Sequence, residues 1–257
     1  MRHEYNLCAR MAAYCQDRRV PHRLQAHSGL VDMHQYAVSS VCENQRRKSG
    51  ACHSGYARYM EEYTVFQVRI HGRGGQGVVS AAEMLSIAAF GEGYHAQAFP
   101  SFGSERMGAP VTAFCRIHDE EIRLREPVMQ PDALIIQDPT LLYQVDLFSG
   151  LSPQGYILIN STRSFDDLGI GDFVQGYAQD RLCTVPASEL ALTHVGRPLP
   201  NAALLGGFAA ITGKLSFDAV AQAIRDRFPG KVGIANVAAA RAAYEQVLKN
   251  LQREVHA

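Results

Sequence analysis

Val65-Phe66-Gln67-Val68-Arg69-Ile70-His71-Gly72-Arg73-Gly74-Gly75-Gln76-Gly77-Val78-Val79-Ser80-Ala81-Ala82-Glu83-Met84-Leu85-Ser86-Ile87-Ala88-Ala89 joins a β-rich run, a glycine turn and an alanine-rich run free of proline and glycine. Strand, turn and helix in that order bring backbone N–H groups and a helix N-terminus to one point, a ready-made anion site suited to a phosphate or diphosphate. The candidate ligand-binding residues are Gly72, Arg73, Gly74, Gly75, Gln76 and Gly77. Glycine suits such a turn because it tolerates φ > 0 and because a side chain would hold the ligand off the backbone. Arg73 adds a cation and Gln76 an amide. The plainer alternative is a tight strand-to-helix turn that only packs closely.

The spacing fits G-x-G-x-x-G, but a dinucleotide site also wants an acid closing the second strand, about 20 residues on, for a ribose hydroxyl. That strand reads as Tyr94-His95-Ala96-Gln97-Ala98-Phe99 and ends in Phe-Pro; Glu92 precedes it and Glu105 lies past it. A phosphate loop of the Gly-Lys-Ser/Thr kind is excluded.

Outward from the turn, strand and helix signals alternate, which points to an α/β domain. Phe66, Val68 and Ile70 alternate with Gln67 and Arg69, predicting a first strand with one face not deeply buried. Residues 110–117 read as a strand, hairpinned through 118–120 to 121–124. Apolar runs at 133–136 and 156–159 fit central strands covered on both faces, and 181–185 a last parallel strand. Ser216 is a good N-cap, with Phe217, Val220, Ile224 and Phe228 on one face and Pro229-Gly230 as the stop. Val237, Ala240, Tyr244, Val247 and Leu251 mark a final helix. The expected fold is α/β, a mostly parallel Rossmann-like sheet with helices on its faces in a single domain, residues 60–257, plus a poorly structured N-terminal extension.

Formal net charge is zero over 257 residues. Residues 1–59 hold nine Lys+Arg against four Asp+Glu, net +5, and residues 60–257 hold sixteen against twenty-one, net −5. Without a basic stripe on the larger portion, no nucleic-acid partner is expected. The longest apolar run, 202–212, is too short to span a bilayer. Arg2, His3 and Glu4 are not followed by an apolar segment, so the expected compartment is the cytoplasm. None of the six cysteines forms a C-x-x-C pair, so no iron–sulfur cluster or zinc ribbon is signalled on this chain. Cys115 and Cys183 read as small buried hydrophobes.

Residues 1–59 carry four of the six cysteines and five of the ten histidines without sustained apolar periodicity. Their spacings fit no standard metal arrangement. The segment is read as disordered, or as preceding the true start at Met60, with short helices around 7–15 and 31–41 as the structured alternative.

A second constellation is Phe99-Pro100-Ser101-Phe102-Gly103-Ser104-Glu105-Arg106-Met107-Gly108-Ala109-Pro110, which reads either as a docking loop or as a loop folded over the sheet's end. Asn201 is most simply a helix N-cap, with a ligand or interface role as the alternative. His71 borders the glycine turn but reads as structural. No Ser/His/Asp order, His pair or carboxylate dyad stands out, so no catalytic residue is assigned.

With these residues laid out, the chain resembles the gamma subunits of 2-oxoacid:ferredoxin oxidoreductases, especially the pyruvate and 2-oxoisovalerate type, with the arylglyoxylate type also open. The resemblance rests on Ile70-His71-Gly72-Arg73-Gly74-Gly75-Gln76-Gly77, Ala96-Gln97-Ala98-Phe99-Pro100-Ser101-Phe102-Gly103, Glu105-Arg106, Gly108-Ala109-Pro110-Val111, Ile122-Arg123-Leu124, Asp138-Pro139-Thr140-Leu141, Gly196-Arg197-Pro198 with Asn201, and Arg227-Phe228-Pro229-Gly230-Lys231. It spans residues 64–247 and leaves 1–59 without a counterpart.

The resemblance implies a multisubunit enzyme that decarboxylates a 2-oxoacid on thiamine diphosphate, passes electrons through 4Fe–4S clusters to ferredoxin or another acceptor, and releases acyl-CoA. It implies that thiamine diphosphate, magnesium and the clusters sit on the alpha, beta and delta (or equivalent) subunits. This chain would dock on them through 99–110 and the Asn201 segment, and would hold coenzyme A phosphates on residues 72–77. The rival readings are a free-standing NAD or FAD oxidoreductase and a non-catalytic nucleotide-binding regulatory module.

Overall fold

The computed structural model describes residues 65–101 and 107–255. The expectations for residues 1–59, the Met60 start among them, lie outside these described residues, as does Phe102.

Among the described residues six strands form one sheet in the order β2-β3-β1-β4-β5-β6. They are β1 (Phe66–Arg73), β2 (His95–Pro100), β3 (Pro110–His118), β4 (Ala133–Ile136), β5 (Tyr156–Asn160) and β6 (Leu182–Val185). β1 pairs parallel with β4, β4 with β5 and β5 with β6, while β3 lies antiparallel between β1 and β2. β3 is thus the one strand running against the other five in a mostly parallel sheet. Among the described residues six α-helices accompany it: α1 (Val78–Gly91), α2 (Gly171–Val174), α3 (Ala187–Val195), α4 (Asn201–Thr212), α5 (Phe217–Arg227) and α6 (Lys231–Val255).

The strand alternation sorts side chains into two cores. Val68, Ile70, Ala133, Ile135, Leu158 and Cys183 face α1, α4, α5 and α6. Leu134, Ile136, Ile157, Ile159 and Leu182 face the connections after β4 and β5, where Leu141, Leu147, Leu168 and Val174 cover them. Burial on both faces explains why residues 133–136 and 156–159 read as unbroken apolar runs. α4 is buried almost all round, and α5 is capped as expected, Ser216 Oγ accepting from the Ala219 N–H at 3.1 Å.

Three expectations are corrected. The polar face of β1 is buried, not open: Arg69 and His71 are each 8% exposed. Arg69 is accommodated because it donates to the carbonyls of Leu147 and Ser149 at 2.8 and 2.7 Å, which offsets part of the cost of burying its charge. Residues 121–124 form no strand. β3 has β1 on one side and β2 on the other, so neither edge is left for a hairpin return. β1 also runs past Ile70 to Arg73, because β3 pairs with it along its whole length, Arg73 opposite Pro110.

Candidate anion-binding site

The glycine turn leaves the carboxyl end of β1 and enters α1. Gly75 and Gly77 have φ of 95° and 75°, a region L side chains rarely occupy. Gly72 has a different reason for lacking a side chain: a Cβ there would lie 2.6 Å from Val78 Cγ2 and 3.1 Å from Gln137 Cβ. Gly74 is tied on both sides, its N–H donating to Ala109 O at 2.9 Å and its carbonyl accepting from Gly108 N–H at 3.0 Å.

Arg73 and Gln76 are committed to holding this loop. Arg73 Nε donates to Asp138 Oδ2 at 3.1 Å, Nη1 to Gly108 O at 3.1 Å, and Nη2 to Thr140 Oγ1 and Gln144 Oε1 at 2.7 and 2.9 Å. Gln76 Oε1 accepts from the Arg73 N–H at 2.8 Å and its Nε2 donates to Asp138 Oδ2 at 2.9 Å. Burial pushes the Asp138 carboxyl up, but hydrogen bonds from Thr140 and Gln76 and the charge of Arg73 outweigh it, leaving the group below the usual carboxylate range. The guanidinium therefore faces a fixed anion already, and its charge is largely cancelled.

What remains for a ligand is backbone. The N–H groups of Gly75, Gly77, Val78, Val79 and Ser80 donate to no described residue; the first intrahelical bond of α1 is Ala81 N–H to Gly77 O, 2.9 Å. Gly77 provides no side-chain cap and the first turn of α1 carries no acid. The positive end of the helix dipole is thus left uncompensated, which favours an anion. An open pocket of about 410 Å³ borders these groups, lined by Gly75, Gly77, Val79, Ser80, Met107 and Val111 among others.

Below the loop, Gln137 is 1% exposed and neither Nε2 nor Oε1 has a partner among the described residues. Asn160, at the end of β5, donates to Gln137 O and Ser188 Oγ, both at 2.8 Å. Asn201 is the first residue of α4 rather than its N-cap, which is Pro200. Its Oδ1 accepts from the Ala202 N–H at 2.9 Å, and its Nδ2 lies 2.5 Å from where a Cβ on Gly77 would sit. The beginnings of α1 and α4 therefore meet at Gly77. Of the aromatics in the 99–110 segment, Phe99 is half-buried against Phe114, ring centroids 5.2 Å apart.

Burial shifts His71 in β1 and Cys115 in β3 away from their ordinary titration ranges. Burial, then the charge of Arg69, holds His71 down at about 3, and burial pushes the Cys115 thiol up to about 12. The unfolded chain takes a proton on His71 below about pH 6.5 that the folded chain refuses until about pH 3. Stability should therefore decline as pH falls through that window, by up to about 1.4 kcal/mol per pH unit from this group. His71→Gln should flatten the difference in urea midpoint between pH values of about 6.5 and 4.5; an unaltered slope would show that His71 does not couple folding to protons.

Sequence reasoning found the turn but missed its supports. Asp138-Pro139-Thr140, directly after an apolar strand, carries a capping signature that was available: Asp138 caps the short 3-10 turn Pro139–Tyr143, accepting from Thr140 N–H. Nothing in the sequence pairs Asp138 with Arg73.

The strand order of a dinucleotide fold is not found among the described residues either. In a dinucleotide fold the second strand lies beside the first; here antiparallel β3 separates β2 from β1. The comparisons with known proteins agree with a different lineage. The sequence pattern of the pyruvate ferredoxin/flavodoxin oxidoreductase family matches residues 67–246. Pyruvate synthase subunit PorC of Methanothermobacter marburgensis is 45% identical over 183 residues, covering 71% of this chain and 98% of its own. The common gamma subunit of the pyruvate/ketoisovalerate oxidoreductases of Pyrococcus furiosus is 42% identical over 182 residues, covering 71% and 97%. The crystal structure of pyruvate oxidoreductase subunit PORC from Thermotoga maritima superposes with a TM-score of 0.59 at 36% identity, covering 70% of this chain and 96% of that one. With a matched stretch that includes the glycine turn, the sheet and the C-terminal helices, the chain belongs to the pyruvate ferredoxin/flavodoxin oxidoreductase family.

Proposed function

We propose that the chain is the gamma subunit of a thiamine diphosphate-dependent 2-oxoacid:ferredoxin oxidoreductase and that its glycine turn holds the phosphates of coenzyme A. The observation that carries this reading is the set of five N–H groups, without a partner among the described residues, at the uncapped start of α1, bordering an open pocket. Such groups suit a diphosphate better than a carbonyl or a metal, because they converge as donors on one point. Residues 72–77 divide the work: Gly75 and Gly77 present amides with the first turn of α1, while Gly72, Gly74, Arg73 and Gln76 fix the shape of the bend.

No group at the turn is set up to make or break a bond, so the chain binds rather than reacts. When assembled, thiamine diphosphate with magnesium supplies the carbanion chemistry, and 4Fe–4S clusters carry the electrons, on alpha, beta and delta or equivalent subunits. The 99–110 segment and the start of α4 serve as docking elements toward those subunits. A cytoplasmic location fits this assembly, and among the described residues no helix is long and apolar enough to cross a membrane.

Anaerobic purification of the tagged chain tests the assignment. It should co-elute with chains carrying thiamine diphosphate and iron–sulfur absorbance, and the complex should reduce ferredoxin with a 2-oxoacid at full rate only when coenzyme A is present. A lone polypeptide that turns over substrate unaided, or that binds NAD tightly, overturns it.

A further inference from the structure

With Arg73 neutralised by Asp138, the loop lacks a free cation of its own, and the fold supplies one from another element. Arg227 is the last residue of α5, and its Nη2 lies 3.4 Å from Ser80 Oγ. Ser80 lines the pocket and contributes one of the N–H groups that lack a partner among the described residues. Arg227 is exposed, and among the described residues no carboxylate lies within ion-pair distance of it. Asp226, its neighbour in sequence, is held by Gln222 Nε2 at 2.8 Å. The Arg227 guanidinium stands 5.7 Å from the centroid of the Phe228 ring.

The favourable interaction of a cation with a helix C-terminus accounts for an arginine somewhere in the last turn of α5. It does not account for the hydrogen bond to Ser80, 147 residues away in sequence. We propose that Arg227 is the phosphate-pairing residue of this pocket, its planar fork closing over a phosphate of coenzyme A whose other oxygens meet the loop amides. The inference rests on the reading that the pocket takes coenzyme A. A guanidinium suits the task because it presents paired donors to phosphate oxygens and keeps its charge at any physiological pH.

The test uses the assembled complex with coenzyme A and with dephospho-coenzyme A, which lacks the 3′-phosphate. Arg227→Met should raise the KM for coenzyme A by about tenfold or more while kcat stays within about twofold, since the contact is made in ground and transition state alike. Arg227→Lys should recover part of the loss. Added salt should raise KM less steeply in the methionine variant, because one charge contact is gone. If KM for dephospho-coenzyme A is the same in wild type and variant, Arg227 meets the 3′-phosphate; if it rises in parallel, Arg227 meets the diphosphate, and both outcomes support the pairing. An unchanged coenzyme A KM in Arg227→Met, with Gly75→Val still impaired, overturns the Arg227 assignment alone. Unchanged values in both variants remove the pocket reading beneath it.

Discussion

Gly75→Val should raise the KM for coenzyme A about 100-fold in the assembled enzyme, equivalent to about 2.7 kcal/mol of lost binding. Two effects compete to explain such a loss, and their magnitudes differ. A Cβ on Gly75 would lie 2.8 Å from Met107 Sδ, but Met107 is 90% exposed and flexible, so it can turn aside at small cost. The backbone cannot: at φ of 95° a β-branched residue costs about 1–3 kcal/mol, and the chain relieves it by rotating the peptide planes of the turn. That rotation turns the Gly75 and Gly77 amides away from the point where they meet. Release of carbon dioxide from the 2-oxoacid, measured without coenzyme A, should stay within about twofold of wild type, because the proposed function assigns that chemistry to other subunits. Equal loss of both activities would mean that the variant disturbs assembly; unchanged coenzyme A use would remove the turn from the binding site.

The largest effect on stability is expected at Gly206, where α4 meets α6. α4 crosses α6 so closely there that a Cβ on Gly206 would sit 2.0 Å from Ala240 O and 2.7 Å from Ala240 C. These are backbone atoms of another helix, so the helices must part. Overpacking of this severity costs about 3 kcal/mol or more. Alanine regains about 1 kcal/mol in helix propensity over glycine. The net for Gly206→Ala is a loss of at least about 2 kcal/mol, which lowers Tm by about 4–8 °C for a domain of this size. Gly207 is the control, since a Cβ there meets only side chains, Leu158 Cδ2 at 3.3 Å and Val247 Cγ2 at 3.5 Å. Gly207→Ala should therefore change Tm by less than about 2 °C in either direction. A stable Gly206→Ala variant would show that α4 and α6 slide apart without penalty.

Local patterns in the sequence carried most of the fold. The apolar runs of β4 and β5, the Ser216 cap and the Pro229-Gly230 stop all express forces acting within a few residues, and each element appears where its pattern puts it. Strand order is different in kind. That β3 slots between β2 and β1 depends on pairings between segments far apart in the chain, and no local signal distinguishes that order from a hairpin with residues 121–124. The site divides the same way. Gly75 and Gly77 are legible because φ is a local property, but the partner of Arg73 lies 65 residues away at Asp138. The sequence shows a cation beside a glycine turn; only the tertiary structure shows the carboxylate that occupies it. The buried polar face of β1 was hidden for a related reason: alternating Gln67, Arg69 and His71 look solvent-facing until the carbonyls that receive Arg69 are in view.

The fourfold engagement of the Arg73 side chain has a consequence for kinetics. It ties the end of β1 to Asp138, Thr140 and Gln144 beyond β4 and to Gly108, two residues before β3, in one hydrogen-bonded frame. A seat assembled during folding demands little ordering on arrival of its guest. Association at such a seat should lack the slow phase that accompanies a closing flap, and discrimination among thiol carriers should then reside in how fast each one escapes.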